Sequence, residues 1–188
     1  MHNYYKKIGA ALLVTFCTFN VFAADLVAGK NRAMVCQGCH GSAGVSSMAQ
    51  FPSLAGQSHS YLEEQLNNFK TGTRINAMMQ PLTKDLSDAD IQNLAAYFAS
   101  LPSKSAGGDT NLAKQGKDKV TMCLGCHGPK LTGQAQVPRL AGQHPDYLAK
   151  QLHDFKSAER KAGHMNMIAK TLSDDDIKAI SAYLGTLE

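Results

Sequence analysis

The chain has 188 residues, of which 44% are hydrophobic and 18% are charged, and its formal net charge is +4 with neutral histidines. Its 19 basic side chains are spread along the chain among 15 acidic ones. Nucleic-acid binding requires a clustered basic face, so we expect a globular protein that binds no nucleic acid.

The first residues have the pattern of an export signal. Lys6 and Lys7 form a basic start, residues 8–22 are mostly apolar, and Val21-Phe22-Ala23 fits a small-residue cleavage site. We predict a cleavable signal peptide over residues 1–23 and a periplasmic mature protein. A retained membrane anchor is the alternative, but the apolar stretch is short and interrupted for a span of about 20 residues. Cys17 would leave with the signal peptide.

The four remaining cysteines lie in two C-x-x-C-H motifs, the attachment site of c-type haem. The motifs contain Cys36, Cys39 and His40 in the first half and Cys123, Cys126 and His127 in the second. Two thiols at this spacing can bond to the two vinyl groups of one porphyrin edge, and the adjacent histidine then ligates the iron. We therefore predict two covalently attached haem c groups.

Two other readings of the cysteine pairs are possible. Four thiolates can bind one zinc ion, but zinc gives no reason for a histidine to follow both pairs. A thioredoxin-like dithiol belongs in a βαβ unit, and the sequence shows no alternating strands. Haem is the interpretation that accounts for every residue of the motif.

The two halves share a longer repeat. P-S-L-A-G-Q at 52–57 matches P-R-L-A-G-Q at 138–143, and Y-L-x-x-Q-L segments begin at Tyr61 and Tyr147. Residues 102–109 between the copies are rich in Pro, Ser and Gly, which is typical of a linker. We predict a first domain over 24–101, a linker over 102–111 and a second domain over 112–188.

Both halves have helical patterns, so we predict an all-α fold. Helices are expected from Leu26 and from Leu112 into the haem motifs, and from Tyr61 to Lys70. Ser87 is a predicted N-cap, with Asp90 completing a capping-box-like arrangement. The apolar stripe of that helix consists of Ile91, Leu94, Ala95 and Phe98, and Ser173, Asp176, Ile177, Ile180 and Leu184 repeat the design.

The second axial ligand of a c-type iron is commonly Met or His. Met79 and Met165 are the methionines that occupy equivalent positions in both copies, so we predict that they ligate the two irons. Met78 and Met167 are the local competitors. A methionine that merely fills a gap in the core is the other alternative.

Histidine as the second ligand is less well supported. His59 and His144 are equivalent only after a one-residue slip of the repeat. His153 and His164 lack counterparts and are expected on the surface. Bis-histidine ligation therefore remains a minor alternative.

Several repeated residues are candidates for contacts around the haems. Pro52 and Pro138 are candidates for presenting a backbone carbonyl to the proximal histidine. Candidates for pairing with haem propionates are Arg74, Arg160, Tyr61 and Tyr147. Ordinary loop or helix packing is the alternative for each of these residues.

Together these motifs resemble the cytochrome c4 family of dihaem c-type cytochromes over residues 24–188. The resemblance implies two tandem class I cytochrome c domains related by approximate two-fold symmetry. It implies His/Met coordination by His40 and Met79 in the first domain and by His127 and Met165 in the second. It also implies electron transfer from a quinol-oxidising complex to a terminal oxidase. The sequence leaves open whether the mature protein is free or loosely associated with the membrane surface.

We therefore expect an electron-transfer protein rather than an enzyme. A dihaem peroxidase or sulfur-compound dehydrogenase is the main alternative, but such enzymes usually need two unlike haems. A gas-binding sensor is a third possibility, and it would require an open iron. The matching ligand patterns of the two halves favour the carrier.

Overall fold

The computed structural model describes residues 23–188. The predicted signal peptide, apart from Ala23, lies outside the described residues. Within residues 23–188 the regular secondary structure is helical, and β structure is limited to an isolated bridge between Gln134 and Val137. The prediction of an all-α fold is confirmed.

The helices repeat in the same order in the two halves. The first half contains α1 (Leu26–Arg32), α2 (Gln37–His40), α3 (His59–Thr71), α4 (Met79–Thr83) and α5 (Asp88–Ser100). The second half contains α6 (Thr110–Gly116), α7 (Leu124–His127), α8 (Pro145–Lys156), α9 (His164–Lys170) and α10 (Asp174–Thr186). The sequence repeat is therefore also a structural repeat.

The segments that lead into the haem motifs are interrupted helices. A 3₁₀ segment, Ala33–Cys36, separates α1 from α2, and Lys119–Cys123 separates α6 from α7. The sequence predicted a helix running from Leu26 to Cys36 and another from Leu112 to Cys123. The tighter 3₁₀ turn changes the direction of the side chains, and each segment buries one apolar residue, Ala33 or Val120.

The last helix of each half supplies most of its core. The predicted stripe on α5 is buried, and so are Ile177, Ile180 and Leu184 on α10. Ser87 caps α5 as predicted: its Oγ accepts from the Asp90 N–H at 3.0 Å, and the Asp90 carboxylate accepts from the Ser87 N–H at 2.9 Å. Ser173 and Asp176 form the same capping box on α10.

Two glycines let the first and last helices of each half pack closely. A Cβ atom on Gly29 of α1 would lie 2.2 Å from the backbone oxygen of Asn93 on α5. A Cβ atom on Gly116 of α6 would lie 2.0 Å from the backbone oxygen of Ala179 on α10. Both distances are far below van der Waals contact, so only glycine fits where these helices meet.

The predicted linker packs against the second half. Ser105 Oγ and the Gly107 N–H both donate to the Gly185 carbonyl, at 2.8 and 3.0 Å. Asp109 caps α6, which begins at Thr110, so the last two residues of the predicted linker are helical. The domain limits at 101 and 112 remain a prediction. Among the described residues, no helix has the length and apolar character needed to cross a bilayer.

We predict that Gly29→Ala lowers the free energy of unfolding by about 1–3 kcal/mol, because the new methyl group overpacks a backbone contact. Lys30→Ala is the control, since Lys30 lies on the same helix with an exposed side chain. Thermal unfolding of the haem-loaded protein measures both effects. Equal stability of the two variants would contradict the close approach of α1 and α5.

Candidate haem-binding sites

The two cysteine pairs lie in separate halves, at the junctions between 3₁₀ segments and short helices. Cys36 ends one 3₁₀ segment and Cys39 lies on α2; Cys123 and Cys126 have the same placement around α7. None of these four cysteines forms a disulfide bond. Within residues 23–188 no cluster of three or more His, Cys, Asp or Glu side chains has the geometry of a metal site. The arrangement therefore does not support one zinc ion shared by the four thiols.

The first thiol of each pair is partly buried. Burial raises the pKa of the Cys36 thiol, an effect that Arg32 opposes and Cys39 reinforces. Burial also raises the pKa of the Cys123 thiol, with a further contribution from Cys126. A redox-active or nucleophilic cysteine normally has a lowered pKa, so these thiols lack the character of a reactive dithiol.

Each motif histidine is buried and held by a proline carbonyl. His40 Nδ1 lies 2.8 Å from the Pro52 oxygen, and His127 Nδ1 lies 2.8 Å from the Pro138 oxygen. A carbonyl can only accept a hydrogen bond, so Nδ1 carries the proton and donates in both cases. The Nε2 lone pair of each imidazole is therefore available for a metal.

The protonation of these histidines also suits metal ligation. Burial lowers the pKa of His40, and the hydrogen bond to Pro52 only partly offsets this effect. Burial lowers the pKa of His127 in the same way, against the bond to Pro138. A neutral imidazole with a fixed tautomer is the form that binds iron. Two thiols beside such an imidazole, present twice, are a donor set that fits covalent haem c.

The candidate methionines lie at the start of two short helices that the sequence did not predict. Met79 is the first residue of α4, and Met165 is the second residue of α9. Both side chains are partly buried, whereas their neighbours Met78 and Met167 are 57% and 62% exposed. The lower exposure favours Met79 and Met165 over these competitors, but their role as ligands remains a prediction.

The candidate histidines for the second position lie elsewhere. His144 is the N-cap of α8, and its Nε2 is 2.9 Å from the Ser46 carbonyl of the first half. His59 begins α3, with Nδ1 3.7 Å from a Glu63 oxygen. His153 and His164 are exposed, as predicted. The engagement of His144 Nε2 in a hydrogen bond weakens the bis-histidine alternative further.

The two candidate propionate arginines meet at the contact between the halves. Each guanidinium donates to the glutamine of its own half: Arg74 to Gln65 at 2.8 Å, and Arg160 to Gln151 at 2.7 Å. Arg74 also donates to Gln151 at 2.8 Å, and Arg160 to Gln65 at 3.0 Å. The two halves thus exchange equivalent hydrogen bonds.

Tyrosines and phenylalanines complete this group. Arg74 donates to the Tyr147 hydroxyl at 3.2 Å, and Arg160 to the Tyr61 hydroxyl at 2.9 Å. Each guanidinium also lies 4.6 Å from the centre of a phenylalanine ring. We call the following six residues the arginine cluster: Arg74, Arg160, Gln65, Gln151, Tyr61 and Tyr147. The sequence analysis missed Gln65 and Gln151, although both belong to the repeated Y-L-x-x-Q-L segments.

The arginine cluster carries positive charge without a carboxylate. Within residues 23–188, neither Arg74 nor Arg160 has an Asp or Glu oxygen at ion-pair distance. Burial alone would lower the pKa of Arg74, but the hydroxyls of Tyr147 and Tyr61 raise it overall. Two charged guanidiniums in one place require a counter-charge, and haem propionates are anions that would supply it.

Family models match both halves of the chain. The model described as cytochrome c matches residues 113–188. The model described as cytochrome c oxidase, cbb3-type, subunit III, matches residues 28–98. Both matched ranges include a C-x-x-C-H motif.

Similar proteins match almost the whole chain. Cytochrome c4 of Pseudomonas aeruginosa is 41% identical in an alignment of 177 positions that covers 86% of this chain and 88% of the relative. The crystal structure of reduced recombinant cytochrome c4 from Pseudomonas stutzeri has a TM-score of 0.83 at 37% identity, and the match covers 88% of this chain and 100% of that chain. A Stutzerimonas stutzeri protein named thiosulfate dehydrogenase electron acceptor is 35% identical, over 82% of this chain and 80% of the relative.

We predict that Arg160→Met lowers the free energy of unfolding by about 1.5–3 kcal/mol, because three hydrogen bonds from a half-buried charged group are lost. Arg160→Lys should lose most of the same stability, since an ammonium cannot reproduce the guanidinium fork. The control is Arg32→Met, which removes a single, partly exposed ion pair 3.8 Å long to Asp90, worth less than about 1 kcal/mol. Urea unfolding of the haem-loaded protein measures the free energy of unfolding of each variant. Equal losses in Arg160→Met and Arg32→Met would contradict the prediction.

Proposed function

The chain belongs to the cytochrome c4 family, and from this we propose that it is a periplasmic carrier between a quinol-oxidising complex and a terminal oxidase. It is a dihaem electron-transfer protein with two cytochrome c domains and two covalently bound haem c groups. The observation that carries the proposal is the equivalence of the two sites. Both have paired thiols, a histidine fixed by a proline carbonyl, and a methionine at the matching position.

We assign the covalent attachment to the four thiols of the described cysteines and the proximal ligation to the histidines that follow them. His40 and His127 supply Nε2, while Pro52 and Pro138 hold the opposite ring nitrogen. When bound, each haem supplies reversible one-electron exchange between Fe(II) and Fe(III).

Met79 and Met165 close the second axial position in this proposal. A thioether ligand raises the reduction potential of a c-type iron relative to a second histidine. A relatively high potential suits donation to an oxidase. With both positions filled, neither site offers an open coordination position to a substrate.

The arginine cluster is the proposed site for the haem propionates. Arg74 and Arg160 provide charge that no carboxylate of the described residues neutralises. Their position where the halves meet supports a second role, because groups bound there would bring the propionate edges of both haems toward each other. Such an arrangement favours electron exchange within the protein.

A thiosulfate dehydrogenase is a second candidate for the electron donor. The Stutzerimonas stutzeri relative is named as the electron acceptor of that enzyme, and it is similar along most of its length. The name describes a protein that receives electrons, so it supports the carrier function also in sulfur oxidation. If the protein were instead an enzyme, such as a peroxidase or a sulfur-compound dehydrogenase, it would need two unlike haem sites.

We predict that Met79→Ala and Met165→Ala each lower one of the two reduction potentials sharply and leave the other nearly unchanged, since each removes one thioether ligand. Potentiometric titration followed optically measures both steps. The far-red sulfur-to-ferric-iron band should lose about half its intensity in each variant.

The matched controls are Met78→Ala and Met167→Ala, which remove the exposed neighbours. They should keep both potentials and the full far-red band. If Met78→Ala or Met167→Ala instead removes half the band, the ligand in that half is the neighbouring methionine and the assignment is wrong.

We predict that the reduced wild-type protein does not bind carbon monoxide and does not turn over peroxide or thiosulfate, because the thioethers of Met79 and Met165 would fill the position that such a ligand needs. Met79→Ala and Met165→Ala should each bind about one equivalent of carbon monoxide. The measurements are an optical carbon monoxide titration and steady-state assays with artificial electron donors and acceptors. Rapid turnover by the wild type would favour the enzyme.

A further inference from the structure

We propose that Gln57 and Gln143 are positioning residues, each of which adjusts the reduction potential of the haem in the opposite domain. They act through the peptide group that anchors the proximal histidine there. This inference rests on the proposed roles of His40 and His127 as proximal ligands.

Gln57 crosses from the first half to the loop that holds His127. Its Oε1 accepts from the Arg139 N–H at 2.7 Å, and its Nε2 donates to the Arg139 carbonyl at 3.0 Å. Arg139 directly follows Pro138, whose carbonyl accepts from His127 at 2.8 Å. The Gln57 amide is therefore paired with the backbone next to the histidine anchor.

Gln143 makes the reciprocal contact. Its Oε1 accepts from the Ser53 N–H at 2.9 Å, and its Nε2 donates to the Ser53 carbonyl at 2.8 Å. Ser53 follows Pro52, which anchors His40 at 2.8 Å. The two glutamines occupy the same position of the repeated P-x-L-A-G-Q segment.

The histidine and the glutamine bind the two ends of one peptide group. The Pro138 carbonyl and the Arg139 N–H belong to the same planar amide, and so do the Pro52 carbonyl and the Ser53 N–H. Accepting a hydrogen bond from the N–H polarises this amide and makes its carbonyl a stronger acceptor. The effect reaches the imidazole, because a stronger acceptor at Nδ1–H raises the basicity of the metal ligand.

Both glutamines are rigidly held. Each is only 7% exposed. Each Oε1 also accepts from the following backbone N–H, that of Ser58 at 2.9 Å or of His144 at 3.0 Å. A buried amide with two donors fixed on its oxygen keeps its orientation, so the polarisation of the anchor peptide is permanent.

In the part of the chain that the structure describes, the other hydrogen bonds between the halves do not reach an anchor peptide. Ser58 Oγ donates to the Ala135 carbonyl, and the arginine cluster joins side chains of α3 and α8 with the two arginines. These contacts can hold the halves together without affecting a proximal histidine. They provide controls that separate a structural role from a tuning role.

The direction in which the reduction potential changes follows from the polarisation of the anchor peptide. Without Gln57 the Pro138 carbonyl is a weaker acceptor, and His127 becomes a weaker electron donor to the iron. A weaker donor favours Fe(II), so the reduction potential rises. Gln57→Met, which keeps the side-chain length, should raise the potential of the second haem only, and Gln143→Met that of the first haem only.

The experiment combines potentiometric titration with ¹⁵N–¹H spectra of the reduced, haem-loaded protein. The Nδ1–H resonance of His127 should move in Gln57→Met while that of His40 stays in place, and Gln143→Met should give the reverse. Ser58→Ala is the matched control and should move neither resonance. The crossed pattern is the expected result.

Two results would overturn the inference. One is a Gln57→Met protein whose His127 resonance and two potentials match the wild type. The other is an equal shift of both haems, which indicates only a loosened contact between the domains.

If Gln57→Met fails to fold, Gln57→Glu tests the same point, because its carboxylate retains an acceptor for the Arg139 N–H. The second haem should then keep or lower its potential, and a rise would contradict the proposal. Failure of the proposed function would appear differently, as a wild-type protein without two one-electron steps.

Discussion

Each half of this protein depends on one hydrogen bond, from a buried histidine Nδ1 to a proline carbonyl. The bond fixes the tautomer and leaves the lone pair of Nε2 unshared. The histidine can therefore serve as an iron ligand. In the first half, backbone hydrogen bonds to Gly44 hold the segment that follows the proline. The carbonyl of Gly44 accepts from the N–H groups of Leu54 and Ala55, at 2.7 and 3.0 Å.

In the second half a different residue accepts the equivalent pair of backbone hydrogen bonds. Leu131 occupies the equivalent position, and its carbonyl accepts from Leu140 and Ala141 at 2.8 and 3.0 Å. Gly44 has φ of +70°, which glycine adopts easily, whereas Leu131 has φ of +58°. Leu131 is 2% exposed, so its packing in the core stabilises a backbone conformation that leucine rarely adopts.

Two groups of hydrogen bonds join the halves: those of the arginine cluster and those of Gln57 and Gln143. The arginine cluster places two positive charges together, with no carboxylate of residues 23–188 at ion-pair distance, which suits anionic propionates from two haems. The glutamines of the P-x-L-A-G-Q segments pair with the backbone beside both histidine anchors. Because both groups are reciprocal, the approximate two-fold symmetry gives the two sites the same environment. Equivalent sites are suited to carrying electrons, and the family relationship agrees with that function.

The local elements were predictable from sequence because they depend on neighbouring residues. The stripe on α5 follows from helical periodicity, the capping boxes from Ser87 and Ser173, and the paired sites from the motif spacing. The short helices α4 and α9 were not predicted, because helices of 5 and 7 residues are stabilised by tertiary packing rather than by propensity. The repeat made Pro52 and Pro138 candidates for holding the histidines, with ordinary packing as the alternative, and the structure decided between the two.

By itself the sequence determined the helical class, the internal repeat, the two candidate haem motifs and the equivalent methionines. Each of these follows from the spacing of residues along the chain. Only the tertiary structure decided that Arg74 and Arg160 share partners and that Gln57 reaches Arg139, 82 positions away. Within either half these residues resemble ordinary surface or loop positions. Their roles arise from the packing of one half against the other, which hydrophobic periodicity and motif spacing do not encode.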